Sequence, residues 1–218
     1  MARPATLSRD RIVDAAVALA TREGADALTV RRLGEQLGCD PSALYRHFTN
    51  AEALHRAVGD HFLADVDVAP RPREGWRTAV RRLCIELRHA QLRQPKLAAF
   101  VRAAPTRLGN ELAITEALLR ELRRGGFRAA AAVRAYHSLI ELTVGSAAID
   151  APLAALASND RAATYDRWRA DYGALDPAQF PASVAVAPLL YQGTADERFE
   201  QALDLLLDGL MSRRRVAN

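Results

Sequence analysis

From Ser8 onward, apolar residues fall at Ile12, Ala15, Ala16, Leu19 and Ala20, a spacing that lines one face of a helix. Ser8 is placed to cap that helix and Gly24 to stop it. Thr29 is the next cap. It opens a shorter stripe at Val30, Leu33 and Leu37, which Gly38 ends as a left-handed C-terminal glycine does. Asp40 then caps a third helix with Pro41 in its first position, where a missing N–H costs nothing, and this helix is expected to reach Phe48. Thr49 to Glu52 reads as a capping box for a longer helix carrying Ala53, Leu54, Val58 and Phe62 and ending near Val66.

Residues 67–75, DVAPRPREG, interrupt the pattern with polar and proline-rich sequence. Helical periodicity resumes over 76–93, 95–102, 108–124 and 128–150. Across 152–194, Pro152, Pro177, Pro181 and Pro188 break the periodicity around one expected helix, 160–172. The last helix, 195–213, carries Phe199, Leu203, Leu206, Leu207 and Leu210 on one face. With no alternating strand pattern and no repeat, the expected fold is all-α. The organisation read from the pattern is a unit over 1–50, a connecting helix over 51–66 and a larger helical domain over 67–218.

Composition narrows this picture only a little. The 218 residues are half hydrophobic, enough for a sizeable core, and the net charge of +4 permits a nucleic-acid partner without demanding one. Cys39 and Cys84 stand alone, without disulfide or zinc spacing, which fits a reducing cytoplasm. No apolar run approaches the ~18 residues of a membrane span, so a soluble protein without a membrane partner is expected. There is no HExxH, phosphate loop, GxSxG or dinucleotide fingerprint. Glu86 and His89 have the spacing of a di-iron bundle but lack a second such pair. His61 with Asp65 and His137 with Glu141 read as solvated helix pairs. Neither an enzyme nor a cofactor or metal is expected.

The stretch GCDPSALYRHF, 38–48, carries the chemistry. Two short helices joined at Gly38, Cys39 and Asp40 cannot bury their own apolar faces, but the first helix supplies the missing surface, giving a three-helix helix-turn-helix unit. With Leu44 and Phe48 inward, Pro41, Ser42, Ala43, Tyr45 and Arg46 face outward. Hydroxyls and His47 can hold phosphate oxygens, Arg46 can fork onto a guanine or a phosphate, and Pro41 or Ala43 can touch a thymine methyl. On chemistry alone the same residues could be the rim of a small helical domain.

The run TVRRLGEQLGCDPSALYRHF followed by TNAEAL, preceded by IVDAAVALA and the link GADALT, resembles the DNA-binding domain of the TetR family of transcriptional regulators over residues 8–62. The resemblance implies that Thr29 is a phosphate-binding cap and that Arg31 reaches a base from the second helix. Pro41, Ser42 and Ala43 would begin a recognition helix, Tyr45 and His47 would contact phosphate, and Arg46 would sit at a variable specificity position. Ala51 departs from the family's frequent lysine, which shifts the expected phosphate contact towards Arg46 and Asn50.

Over most of 73–151, the cadence of GW at 75–76, GGF at 125–127 and LTVG at 142–145 is similar to the tetracycline-repressor branch of that family. That implies an inducer pocket and a homodimer paired through the helices 128–150 and 195–213. The leucine face of the last helix and the small run Gly145, Ser146, Ala147 and Ala148 are compatible with close pairing. Leu83 and Val101 stand where that branch holds the drug and its metal, so metal-bound tetracycline is not the expected inducer. Phe62, Trp76, Cys84, Leu87, Phe100, Leu119, Tyr136, His137 and Ile140 are the candidate lining, which suits a hydrophobic effector. The resulting expectation is a repressor that binds palindromic double-stranded DNA as a homodimer and is released by a small molecule. The alternative is a helical ligand-binding module without sequence-specific DNA binding.

Overall fold

A computed structural model of the chain describes residues 7–216. Among the described residues there are eleven α-helices and no strand. They are α1 (Arg9–Glu23), α2 (Val30–Leu37), α3 (Pro41–Leu44), α4 (Ala51–Leu63), α5 (Trp76–Arg93), α6 (Pro95–Ala103), α7 (Gly109–Arg124), α8 (Ala129–Ala154), α9 (Ser158–Gly173), α10 (Pro181–Val186) and α11 (Ala195–Val216). The chain divides into two compact units, one ending at Val144 and the other beginning at Gly145.

In the first unit, α1 buries Ile12, Val13, Ala16, Leu19 and Ala20, and Leu33, Leu44 and Phe48 are buried from the segment that follows. The Ser8 side chain accepts from the Arg11 amide at 3.3 Å, which fixes the start of α1. Gln36 donates to the Ala15 carbonyl at 3.1 Å, and Arg32 pairs with Glu23, so polar contacts reinforce the packing of α2 on α1. Lys96, the only lysine, donates to the Arg22 carbonyl at 2.6 Å. It thereby satisfies a free carbonyl at the C-terminal end of α1 and places a positive charge there.

α4 packs against α1, α6 and α7. Its buried face holds Leu54, Val58, Phe62 and Leu63, and the His55 ring meets Phe100 edge-on at 5.3 Å. The 67–75 loop, expected as a boundary, is present, but α4 before it packs on helices that follow it within the same unit. Arg82 holds this loop. It forks onto Glu74 with both contacts at 3.0 Å and donates to the carbonyls of Asp67 and Ala69 at 2.9 and 3.2 Å. The guanidinium beside Glu74 keeps that carboxyl below the usual glutamate range.

Three local expectations shift. The third helix stops at Leu44, and Tyr45, Arg46 and His47 form a turn, with Phe48 still buried. α4 opens on Asn50, whose side chain accepts from the Ala53 amide at 2.8 Å, so the Thr49 capping box does not form. α8 continues past Pro152 to Ala154, so the proline falls in its last turn and the helix ends two residues after it.

In the second unit, the Arg161 side chain reaches back to the carbonyls of Leu153, Ala154 and Leu156, closing the C-terminal end of α8. Tyr165, Trp168 and Tyr191 form an aromatic cluster with Arg198 over the Tyr165 ring at 4.9 Å. α11 opens on a reciprocal box: the Glu197 amide donates to Thr194, and the Thr194 amide donates to Glu197.

Candidate nucleic-acid interface and effector cavity

Gly38 is left-handed, with φ +65, and donates back to the carbonyl of Glu35 at 3.3 Å. A turn of this kind is open to glycine at little cost and reverses the chain directly after α2. Asp40 accepts from the Ser42 amide at 2.8 Å and starts α3. Hydrogen bonds from the Ser42 hydroxyl and amide hold the Asp40 carboxyl below the usual aspartate range. Leu44 and Phe48 anchor the segment inward, and Arg9 clamps it by donating to the His47 carbonyl at 3.1 Å with its guanidinium 4.4 Å from the Phe48 ring centre.

The consequence is a presented surface. Pro41, Ser42, Tyr45, Arg46, Thr29, Arg31 and Asn50 are exposed, Tyr45 to 53 %, while Ala43 and His47 are half-buried. Thr29 accepts from the Arg32 amide at 3.3 Å, which leaves its hydroxyl proton to donate elsewhere. Asn50 is in the same position: its carbonyl oxygen caps α4 and its amide group keeps two donors. Arg31 pairs with Glu35 at 3.1 Å on a surface where both side chains are largely solvated, so the pair is weak and exchangeable.

A cavity of about 120 Å³ lies deeper in the same unit. Leu63, Leu87, Val101, Ile114, Ile140 and Val144 form its apolar wall. Gln91, Thr106, Glu111, Thr115 and Tyr136 add polar groups. The Thr115 and Tyr136 hydroxyls bond each other at 3.0 Å, and Thr106 donates to Asp60 at 3.1 Å. Gln91 is wholly buried, and neither its amide oxygen nor its amide nitrogen has a partner.

Of the candidate lining, Leu87, Tyr136 and Ile140 come together on the cavity wall. The others do not. Phe62 and Phe100 are core residues of α4 and α6, and Leu119 is half-buried on α7. Trp76 packs edge-on against Phe127 at 5.4 Å. Cys84 is buried, and desolvation pushes its thiol up to about 12 against a smaller opposing bond from Thr143. His137 lies off the wall: one position after Tyr136 the helix has turned by about 100°, and the residue is exposed, its ring edge-on to Tyr136 at 5.4 Å. Reading the sequence missed Gln91, Thr106, Glu111 and Thr115. The only signal of Gln91, Glu111 and Thr115 was polarity on helices, and Thr106 lies in the loop between α6 and α7. Val101, noted for its place in the family pattern, does line the cavity. Among the described residues no cluster of His, Cys, Asp or Glu could hold a metal ion, and no single helix is long and apolar enough to cross a membrane.

A helix-turn-helix with an exposed polar face, joined through α4 to helices around an internal cavity, defines a DNA-binding protein built to respond to a ligand. Residues 12–58 match the family model for bacterial regulatory proteins of the tetR family, and residues 69–214 match that for the tetracyclin repressor-like C-terminal domain. The chain is 31 % identical over 212 residues to the class A tetracycline repressor from transposon 1721 of Escherichia coli, covering 96 % of this chain and 93 % of that one. It is similar in fold to apo ActR from Streptomyces coelicolor, with a TM-score of 0.86 and 27 % identity over the whole of both chains. ActR in complex with actinorhodin matches with a TM-score of 0.85 and 27 % identity over 96 % of this chain and 99 % of that one. The chain belongs to the TetR family of ligand-responsive, DNA-binding transcriptional regulators.

Proposed function

We propose that the chain is a cytoplasmic repressor that binds a palindromic operator as a homodimer and is released by a small, mainly apolar effector. Residues 1–50 would read the DNA, 51–66 would transmit the signal, and 67–218 would bind the effector and pair with a second copy. The observation that carries the reading is the exposed set Thr29, Ser42, Tyr45 and Arg46 held by buried Leu44 and Phe48. Ser42, Tyr45 and Arg46 occupy one short segment, and one such segment reads too few base pairs for operator-level specificity, whereas a two-fold pair reads two half-sites.

Pairing is supported by apolar side chains that the fold leaves in solvent. Ile149 on α8 is 77 % exposed and Leu205 on α11 is 74 % exposed. Leu205 lies away from the buried Leu203 and Leu207 of its own helix, so the monomer core does not account for it.

The cavity is the effector site in this reading, as tetracycline and actinorhodin in the names of the relatives suggest for them. Its volume is below the roughly 300 Å³ that drug-sized ligands occupy, so such an effector must push its walls apart. Leu63 of α4 is one of those walls, and the cap at the start of α4, Asn50, belongs to the DNA-facing set. Moving α4 would shift each reading segment against its two-fold mate and cost affinity.

The test is selection of bound duplexes from a random DNA pool at near-physiological salt. A two-fold symmetric consensus is the expected result. Enrichment of nothing beyond a salt-sensitive background would overturn the reading in favour of a ligand-binding module without sequence-specific DNA binding.

A further inference from the structure

Gln91 sits on α5 with no solvent exposure, lines the cavity, and has neither amide atom hydrogen-bonded. A buried amide without partners costs on the order of 1–3 kcal/mol for each orphaned group, and native folds rarely carry that cost without a use for it. The other polar groups named on the wall each have at least one bond within the fold. Thr115 and Tyr136 bond each other, Thr106 donates to Asp60, and Glu111 accepts from the Arg107 amide at 2.6 Å. Leucine or methionine would fill the Gln91 position without the penalty.

We propose that Gln91 is the specificity-determining contact of the effector site, and that the effector is a mainly apolar molecule without negative charge, presenting a hydrogen-bond donor and acceptor side by side. A primary amide offers one acceptor and two donors in a plane, and its complement is another carboxamide, or a hydroxyl beside a carbonyl. The remaining wall argues against an anion. It carries the Glu111 carboxylate and no Lys, Arg or His, so an anionic ligand would meet repulsion without compensation. The inference rests on the cavity being the effector site, as proposed above.

Benzamide, acetophenone and isopropylbenzene are the probes. They are alike in size and each somewhat larger than the cavity, since a void of about 150 Å³ takes one unsubstituted benzene ring, so all three need a similar widening of its walls. They differ in offering a donor and an acceptor, an acceptor alone, or neither. Binding to the full-length protein is measured by calorimetry or ligand-observed NMR for the wild type, Gln91→Met and Gln91→Leu. Benzamide is expected to lose about tenfold or more in affinity on substitution, acetophenone less, and isopropylbenzene nothing or to gain, as two lost hydrogen bonds imply. Both unliganded variants should melt at or above the wild-type temperature.

Equal changes for all three probes would overturn the inference while leaving the effector site standing. Binding of none of them to any of the three proteins would count against the cavity as the effector site, and the inference would fall with it. A large drop in the melting temperature of both variants would show that Gln91 is bonded within the fold, and would also overturn the inference.

Discussion

Asp60 of α4 caps the N-terminus of α7: its Oδ1 accepts from the main-chain amides of Asn110 and Glu111, both at 3.1 Å. The Asn110 side chain returns the contact by donating to the Asp60 carbonyl at 2.9 Å. Leu108, the residue that should cap α7, has no side-chain oxygen, so the acceptor comes from fifty positions earlier in the chain. Glu111 also lines the cavity, which makes this cap a joint between α4 and the cavity wall.

Asp60→Ala should destabilise the protein by about 2 kcal/mol, because it removes a cap and orphans two part-buried amides. Asp60→Asn should lose about half of that, since one acceptor remains. Urea unfolding gives the totals. Amide exchange should speed up first at Asn110 and Glu111, and unchanged protection at those two amides would show that the cap contributes nothing.

The Glu74–Arg82 pair sets a pH dependence. Both side chains are about nine-tenths buried, and the carboxyl is held below its usual 4.5 by the guanidinium. A folded-state value below the unfolded one means that the unfolded chain binds the proton first as pH falls. The stabilisation is therefore present above about pH 4.5 and fades as the pH falls through the lowered value. The stability gap between the wild type and Glu74→Gln should be constant from pH 6 to 8 and narrow below pH 4.5. A gap that widened on acidification would exclude this pairing.

The two thiols should respond differently to a disulfide reagent such as DTNB. Cys84 is buried and its thiol is pushed up to about 12, so it is neither accessible nor ionised at pH 8. Cys39 is part-exposed on the turn between α2 and α3. One equivalent should react in the native protein and a second only on unfolding. Two rapid native equivalents would mean that the core around Cys84 opens readily.

Gly125 leaves no room for a side chain. A Cβ there would stand 2.6 Å from Cδ2 of Trp76, whose ring is packed against Phe127. Gly125→Ala should cost about 1–3 kcal/mol. The same change made on a Trp76→Leu background should cost less, because the clashing ring is gone. Strict additivity of the two substitutions in a melting or urea series would refute the clash.

What could be read from the sequence here is what short-range chemistry decides. Thr29, Gly38, Asp40 and Pro41 each act within three or four residues of themselves, so the reading segment was legible before any packing was known. The recognition helix was read too long because Leu44 and Phe48 fit one helical face, whereas in the structure a turn delivers Phe48 to the core. The Asp60 cap was hidden because neither residue of the pair carries a local signal of the other. The cavity was legible only in part for a related reason: its wall is drawn from five helices and a loop, and nothing local separates Gln91 from the core positions beside it.

The lone lysine has a practical consequence. Besides the α-amino group, Lys96 is the single amine in the chain, and its ammonium is engaged with the end of α1. A dye or chip surface coupled through amines at this side chain attaches next to the junction of α1 and α6, and acylation removes the charge that helps to hold that junction. Tethering of that kind would handicap the molecule it immobilises. The same chemistry, used with an environment-sensitive fluorophore, gives a one-site reporter of whether that junction loosens when an effector is added.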